Sequence, residues 1–314
     1  MRTIYIHIGI GKTGTTLVQN YLSQKRSKLM DQGVHYLLAD DLGRGGGHQQ
    51  FAKSFINNPP EYMIPASHPE QIRLQVFVEI CASQSDVILL SSENFPLATV
   101  ADVHSYFTDL PTPFNIKIIL FVRSQEELAE SEYNQLVKLK RETCTFATYA
   151  HEKLEGCDYF ELASKWERHF GEGNMLCKIY NGARTDVFEQ FLSLIPEVQG
   201  ELISAYQKPD NAVKNVSLGM QALTAIRILN SVKIEDRKAL YGQIVSNYSG
   251  KDLPALFFDS SSAQAFRTKF SDSNRAFTKR FLGSESDDLG GRRYSDQQRD
   301  DQRKLILELK LDRY

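Results

Sequence analysis

The 314-residue sequence predicts an α/β fold: a doubly wound, mostly parallel sheet flanked by helices, with a helical C-terminal part. Three observations predict it. Four short apolar runs, at residues 3–8, 87–91, 116–122 and 175–180, are rich in β-branched residues and leucine, as strands covered on both faces are. Helical patterns separate these runs, so successive strands need crossover connections, which parallel pairing uses. After residue 180 the pattern is almost entirely helical.

The elements follow in order. The first run leads into Gly9 and Gly11, and Leu17, Tyr21 and Leu22 then recur at helical spacing. That is strand, tight loop, helix N-terminus. A helix over 70–81 follows Pro69, a favoured first-turn residue. Ser124 is the expected N-cap of a helix running to about residue 140, with Glu127 three residues on as its capping-box partner. Further helices are expected at 159–169, 185–194, 217–230, 235–248 and 262–281. Two stretches break the pattern: a glycine-rich run at 43–47 that ends at His48, and a polar stretch at 284–303 full of opposite charges. One domain is therefore expected over 1–283, with a polar, charged tail over 284–314, of which 284–303 is expected to be mobile or weakly helical.

Composition narrows the function classes. A hydrophobic fraction of 41% supports a sizeable core, and a net charge of −2 argues against a general nucleic-acid binder. The four cysteines form no Cys-x-x-Cys pair, so neither a zinc site nor a disulfide framework is indicated, and no metal is expected. Free thiols point to a reducing, cytoplasmic setting. The first run reads as a core strand rather than a signal peptide, and no apolar run approaches the ~20 residues of a membrane span. Oligomeric state does not follow from the sequence.

The chemistry begins at residues 9–16, Gly-Ile-Gly-Lys-Thr-Gly-Thr-Thr. Backbone N–H groups of such a loop converge on one spot, the helix dipole adds positive potential, and Lys12 adds a full charge. The loop suits a phosphate or a sulfate. A Walker loop needs Gly-x-x-x-x-Gly-Lys-Ser/Thr, which would put its first glycine at position 6, where Ile6 sits inside the strand. A Walker-B aspartate is also missing: the run at 87–91 continues into Ser92 and Glu93.

The compact loop resembles the 5′-phosphosulfate loop of the sulfotransferases that use 3′-phosphoadenosine 5′-phosphosulfate (PAPS), a P-loop-like fold. The segment 91–95, Ser-Ser-Glu-Asn-Phe, is similar to bacterial, carbohydrate-type members. The resemblance implies that Lys12 contacts the 5′-phosphate and the bridging oxygen, and that Gly11, Thr13, Gly14, Thr15 and Thr16 line the cradle. It also implies an arginine at a later strand end and a serine eight residues on for the 3′-phosphate. Arg123 and Ser131 stand at that spacing. On a helix starting at Ser124, Ser131 lies ~10 Å along the axis, within reach of a long guanidinium whose fork matches phosphate oxygens. The surface alternative pairs Arg123 with Glu126 or Glu127. The motifs cover a nucleotide-binding core of about residues 1–140. The basic residues Arg275, Lys279 and Arg280 are candidates for a segment closing over the nucleotide, or for a solvated helix face.

PAPS is thus the expected co-substrate, without a metal, and adenosine 3′,5′-bisphosphate the product. The acceptor is a hydroxyl or amine compound, with a glycan suggested by the resemblance. Glu93 is the first choice of catalytic base, since ligands of open parallel sheets sit at the carboxyl ends of strands. His48 is the second, on a glycine-rich loop that would let it swing over a substrate. His7 reads as a core residue. A P-loop kinase or nucleoside triphosphatase, and a nucleotide-binding protein without catalysis, remain as alternatives.

Overall fold

The computed structural model describes residues 1–38, 46–154, 156–181, 187–198, 217–248, 255–297 and 300. Five described strands form one parallel sheet: β1 (Thr3–His7), β2 (Val34–Tyr36), β3 (Val87–Ser91), β4 (Asn115–Val122) and β5 (Met175–Ile179). Their order is β2-β3-β1-β4-β5. The connection from β3 to β4 passes over β1, so β1 lies where the chain reverses its direction of travel across the sheet. The carboxyl ends at such a point form the crevice in which ligands of doubly wound sheets bind.

Four of the five strands are the expected apolar runs, and the bounds agree to within a residue. The exception is β2, three residues long and at the sheet edge, too short to give a periodic signal. All five residues of β1 are buried, so both sheet faces are covered. Tyr5, Leu89 and Phe121 point to one face and pack with Val18 and Leu22 of α1 (Thr15–Gln24) and with Phe188 and Phe191 of a later helix (Val187–Leu192). Each such buried side chain contributes ~1.5–3 kcal/mol relative to exposure. Strand registers put His7 beside Ser91 on β3 and Ile119 on β4.

The chain divides into two units. The first comprises Met1–Arg123, Asp158–Ala212 and Ser273–Leu289 and contains the sheet. Besides α1 it holds α2 (Arg26–Asp31), α3 (Gln49–Lys53), α4 (Pro69–Ala82) and α5 (Val100–Thr108). The second comprises Ser124–Cys157, Val213–Asp272 and Gly290–Tyr314. It is helical where described, and includes α6 (Gln125–Lys138) and α7 (Phe146–Thr148). Next along the chain, α8 (Tyr159–Phe170) and α9 (Val187–Leu192) return to the first unit, and α10 (Met220–Ser231), α11 (Arg237–Tyr248) and α12 (Ser260–Thr268) to the second. The run expected as one helix over 262–281 is instead α12, α13 (Ser271–Phe277) and a π-helical turn (Thr278–Leu282).

Within the second unit, the capping box expected at Ser124 does not form. Ser124 occupies the N-cap position of α6 with no side-chain cap bond, and Glu127 instead accepts from the backbone N–H and the guanidinium of Arg292. Glu126 pairs with Arg267, while Glu130 accepts from the N–H groups of Phe257 and Phe258 and from the Tyr294 hydroxyl. Burial pushes the Glu126 and Glu130 carboxyls above the usual range, and these bonds oppose the shift. In the stretch expected as a polar tail, Leu289 and Tyr294 are buried; residues 298–299 and 301–314 lie outside the described residues.

Candidate active site

The loop between β1 and α1 lies at the carboxyl end of the central strand. Lys12 takes a left-handed conformation at φ 68, and Gly14, the N-cap of α1, another at φ 82. Left-handed backbone between ordinary residues turns successive N–H groups toward one side, the geometry of an anion nest. Gly14 is required twice over. Its positive φ suits only glycine well, and a Cβ there would meet Val187 of α9 at 3.0 Å. Gly11 has open space around it. Thr13 and Thr15 are buried and Thr16 is exposed. The Thr13 hydroxyl donates to the Ile10 carbonyl at 2.6 Å, tightening the loop from inside. Among the described residues, Thr15 Oγ1 makes only long contacts, 3.5 Å to the Ile10 oxygen and 3.5 Å to Thr13 Oγ1.

Arg123, just beyond β4, reaches this loop. Its Nη1 donates to the Lys12 carbonyl oxygen at 2.8 Å, and its guanidinium lies 5.4 Å from the centre of the Tyr180 ring. The Arg123 carbonyl accepts from the Tyr159 hydroxyl at 2.8 Å, which anchors the backbone at the strand end. Ser131 lies half-buried on α6, in the second unit, whereas Arg123 belongs to the first.

Beyond β3, Glu93 sits in a network of side-chain amides. Gln49 donates to its Oε2 at 2.7 Å and Gln19 of α1 at 3.2 Å. Gln49 Oε1 accepts from Ser92 Oγ at 2.6 Å and Asn94 Nδ2 at 2.8 Å, which fixes the amide so that its nitrogen faces the carboxylate. Gln19 also donates to the carbonyl and hydroxyl of Ser91. The half-buried carboxylate is thus held by residues from α1, α3 and the β3 end.

No family model matches the chain, and no curated protein matches it. Among solved structures it is similar to a crystal structure of a sulfotransferase from Alicyclobacillus acidocaldarius. The identity is 15%, over 78% of this chain and 94% of that one, with a TM-score of 0.44.

His48 differs from the mobile histidine expected from its glycine-rich neighbourhood. The ring is fully buried; Nε2 lies 3.0 Å from the Leu37 carbonyl and Nδ1 accepts from the Ser91 N–H at 3.1 Å. Its backbone N–H donates to the Ser91 oxygen at 2.8 Å. Both ring nitrogens are therefore occupied as a strut between the β2 and β3 ends. Desolvation pulls its pKa down to about 4, so the ring is neutral at pH 7. Gly46 and Gly47 beside it are buried; residues 43–45 of the run lie outside the described residues. Of the basic residues considered as a nucleotide cover, Lys279 pairs with Glu285 and Arg280 with Glu167 and Glu172, all within the first unit, while Arg275 is exposed.

The sequence reading missed Gln19 and Gln49. Neither type signals a site by itself. A usable cue was the position of Gln19 on α1: it follows Val18 and precedes Tyr21 and Leu22, so a polar residue falls on the buried stripe.

Proposed function

We propose that this chain is a sulfotransferase that moves the sulfuryl group of PAPS to a hydroxyl or amine acceptor, with a carbohydrate as the acceptor class. One observation carries the reading most: Arg123 and Lys12, assigned from separate motifs, meet through a 2.8 Å hydrogen bond at the carboxyl end of β1. In this proposal the loop N–H groups, Lys12 Nζ and the hydroxyls of Thr15 and Thr16 hold the 5′-phosphosulfate, with Gly11 and Gly14 shaping the cradle. Thr13 spends its hydroxyl hydrogen on the Ile10 carbonyl, so it contributes through its backbone. Arg123 takes the 3′-phosphate, and Ser131 is carried in the same assignment from the sequence alone.

The reaction needs an in-line attack. As the acceptor oxygen or nitrogen bonds to sulfur, the bond from sulfur to the 5′-phosphate oxygen breaks, and the acceptor proton passes to Glu93. Lys12 stabilises the charge that grows on the departing oxygen. Gln19 and Gln49 both bind Oε2 of Glu93, fixing its orientation and leaving Oε1 to face a substrate. His48, with both nitrogens engaged, supports the strand ends instead of moving a proton.

Calorimetry tests the reading. Adenosine 3′,5′-bisphosphate should bind with unchanged affinity in EDTA, and more tightly than Mg·ATP. Preference for Mg·ATP overturns it.

A further inference from the structure

His7 is a buried histidine at the end of β1, 1% exposed and set edge-on between the rings of Phe121 and Phe191. Its Nδ1 lies 2.8 Å from Ser91 Oγ, the register neighbour on β3. Its Nε2 is buried and has no hydrogen-bond partner among the described residues. A buried polar group left unpaired costs ~1–3 kcal/mol, so the arrangement calls for a reason.

The proton on this ring can be placed from its neighbours. The Gln19 amide nitrogen faces the Glu93 carboxylate at 3.2 Å and the Ser91 carbonyl at 3.3 Å, two acceptors, so it is the NH2 end that also meets Ser91 Oγ at 3.2 Å. The Gln19 NH2 group has two hydrogens to share among these three oxygens; where the Ser91 hydroxyl takes one, it sends its own hydrogen elsewhere, and the acceptor beside it is His7 Nδ1. In that arrangement the ring proton sits on Nε2, which is then a donor.

That donor faces the loop. A Cβ placed on Gly9 would lie 3.1 Å from His7 Nε2 and 2.5 Å from Thr15 Oγ1, so the two polar atoms converge on one point beside Gly9. Thr15 Oγ1 is the loop hydroxyl whose contacts among the described residues are all long. We infer that His7 is a positioning residue of the anion cradle: when an anion fills the loop, its Nε2–H, unpaired here among the described residues, takes Thr15 Oγ1 as its acceptor, so that the Thr15 hydroxyl hydrogen points at a ligand oxygen. The hydrogen bonds then run one way, from Gln19 through Ser91 and His7 to Thr15 and the anion, and such chains reinforce one another. The cradle so built accepts only oxygens without hydrogens on them, as in a sulfuryl or phosphoryl group. The same Gln19 amide ends on Glu93, which ties the anion side of the site to the proposed base. This inference rests on the loop being an anion cradle, as proposed above.

Nitrogen-15 NMR of the histidine-labelled full chain tests it without relying on a variant. The expected result is an Nε2-protonated His7 at neutral pH, whose Nε2 proton shifts on saturation with inorganic sulfate and with adenosine 3′,5′-bisphosphate. An Nδ1-protonated ring overturns the inference. So does an Nε2 proton unmoved by a ligand that calorimetry shows to be bound. If sulfate moves the proton but the nucleotide does not bind, the sulfotransferase reading fails and the His7 assignment stands. Two variants add a second readout. His7→Phe should weaken anion binding about tenfold, the worth of one hydrogen bond. His7→Gln, which can restore a donor near Nε2, should recover most of that loss. Equal affinity in wild type and His7→Phe overturns the inference, because a packing role alone would change the melting temperature and not the binding.

Discussion

Arg123 donates to the main-chain oxygen of Lys12, 111 residues earlier, at 2.8 Å. The residue assigned to one phosphate thus rests on the loop assigned to the other. On the proposed assignment, removing the guanidinium has two effects: it deletes a charge-assisted donor to the 3′-phosphate and loosens the Lys12 carbonyl. Charge-assisted bonds are worth ~1.5–3 kcal/mol, so Arg123→Ala should weaken adenosine 3′,5′-bisphosphate about 10- to 100-fold. Adenosine 5′-monophosphate, which lacks the 3′-phosphate, should lose less. Equal losses in calorimetry would place Arg123 in loop support alone.

Lys12 combines the charge proposed for catalysis with a costly backbone. A non-glycine residue at φ 68 carries ~1–2 kcal/mol of strain. Lys12→Gly should therefore unfold at higher urea than Lys12→Ala, while both lose turnover at least a hundredfold through the missing cation. If Lys12→Gly retained wild-type turnover, the side chain would have no part in the chemistry.

Glu93→Gln keeps the shape of the carboxylate and can still present an oxygen to Gln19 and Gln49. It cannot take a proton from the acceptor. Turnover should fall about 10²–10⁴-fold, the usual range for a missing general base, with nucleotide affinity unchanged. A loss confined to nucleotide affinity would show that Glu93 supports the cradle and does not act as a base.

Two buried histidines set a pH dependence. Burial holds the folded pKa of His48 at about 4 and that of His7 at about 3, against an ordinary 6.5. Below 6.5 the unfolded chain binds protons that the folded chain refuses. The stability these neutral rings allow is therefore complete above about pH 6.5 and declines as pH falls toward 4, by up to ~1.4 kcal/mol per pH unit for each ring. His48→Gln can still donate to the Leu37 carbonyl but does not titrate. Its urea midpoint should fall less steeply between about pH 7 and 4.5 than that of wild type. Parallel curves would show that His48 is not neutral in the fold.

Much of this was legible in the sequence, for physical reasons that differ by element. The strands around Ile6, Leu89 and Leu120 are covered on both faces, and such strands announce themselves as unbroken apolar runs. The turn at Lys12 was legible as a strand–loop–helix junction, because glycines break the apolar run before helical spacing resumes. The three-residue edge strand at Val34 gave no period to detect, and α5 at Val100–Thr108 went unread. His48 was misleading, since its glycines suggested freedom, whereas buried Gly46 and Gly47 allow close packing. The amide of Gln49 had no signature and that of Gln19 only its place on the buried stripe of α1, because their roles come from tertiary contacts between α1, α3 and the β3 end.

Gly47 gives the sharpest test of that amide network. A Cβ at this position would fall 2.5 Å from the Gln19 side-chain carbon and 2.6 Å from its amide oxygen, too close for any real contact. Gln19 is flexible enough to move, so Gly47→Ala should fold, at a cost of ~1–3 kcal/mol typical of overpacking. Once displaced, Gln19 releases Glu93 Oε2 and Ser91 Oγ together. Turnover should then drop by an order of magnitude or more through the misplaced carboxylate, since small shifts of reacting groups are costly. The Gly47→Ala, Glu93→Gln double variant should be little worse than Glu93→Gln alone. Additive losses would mean that the glycine acts on the site by some route other than Gln19 and Glu93.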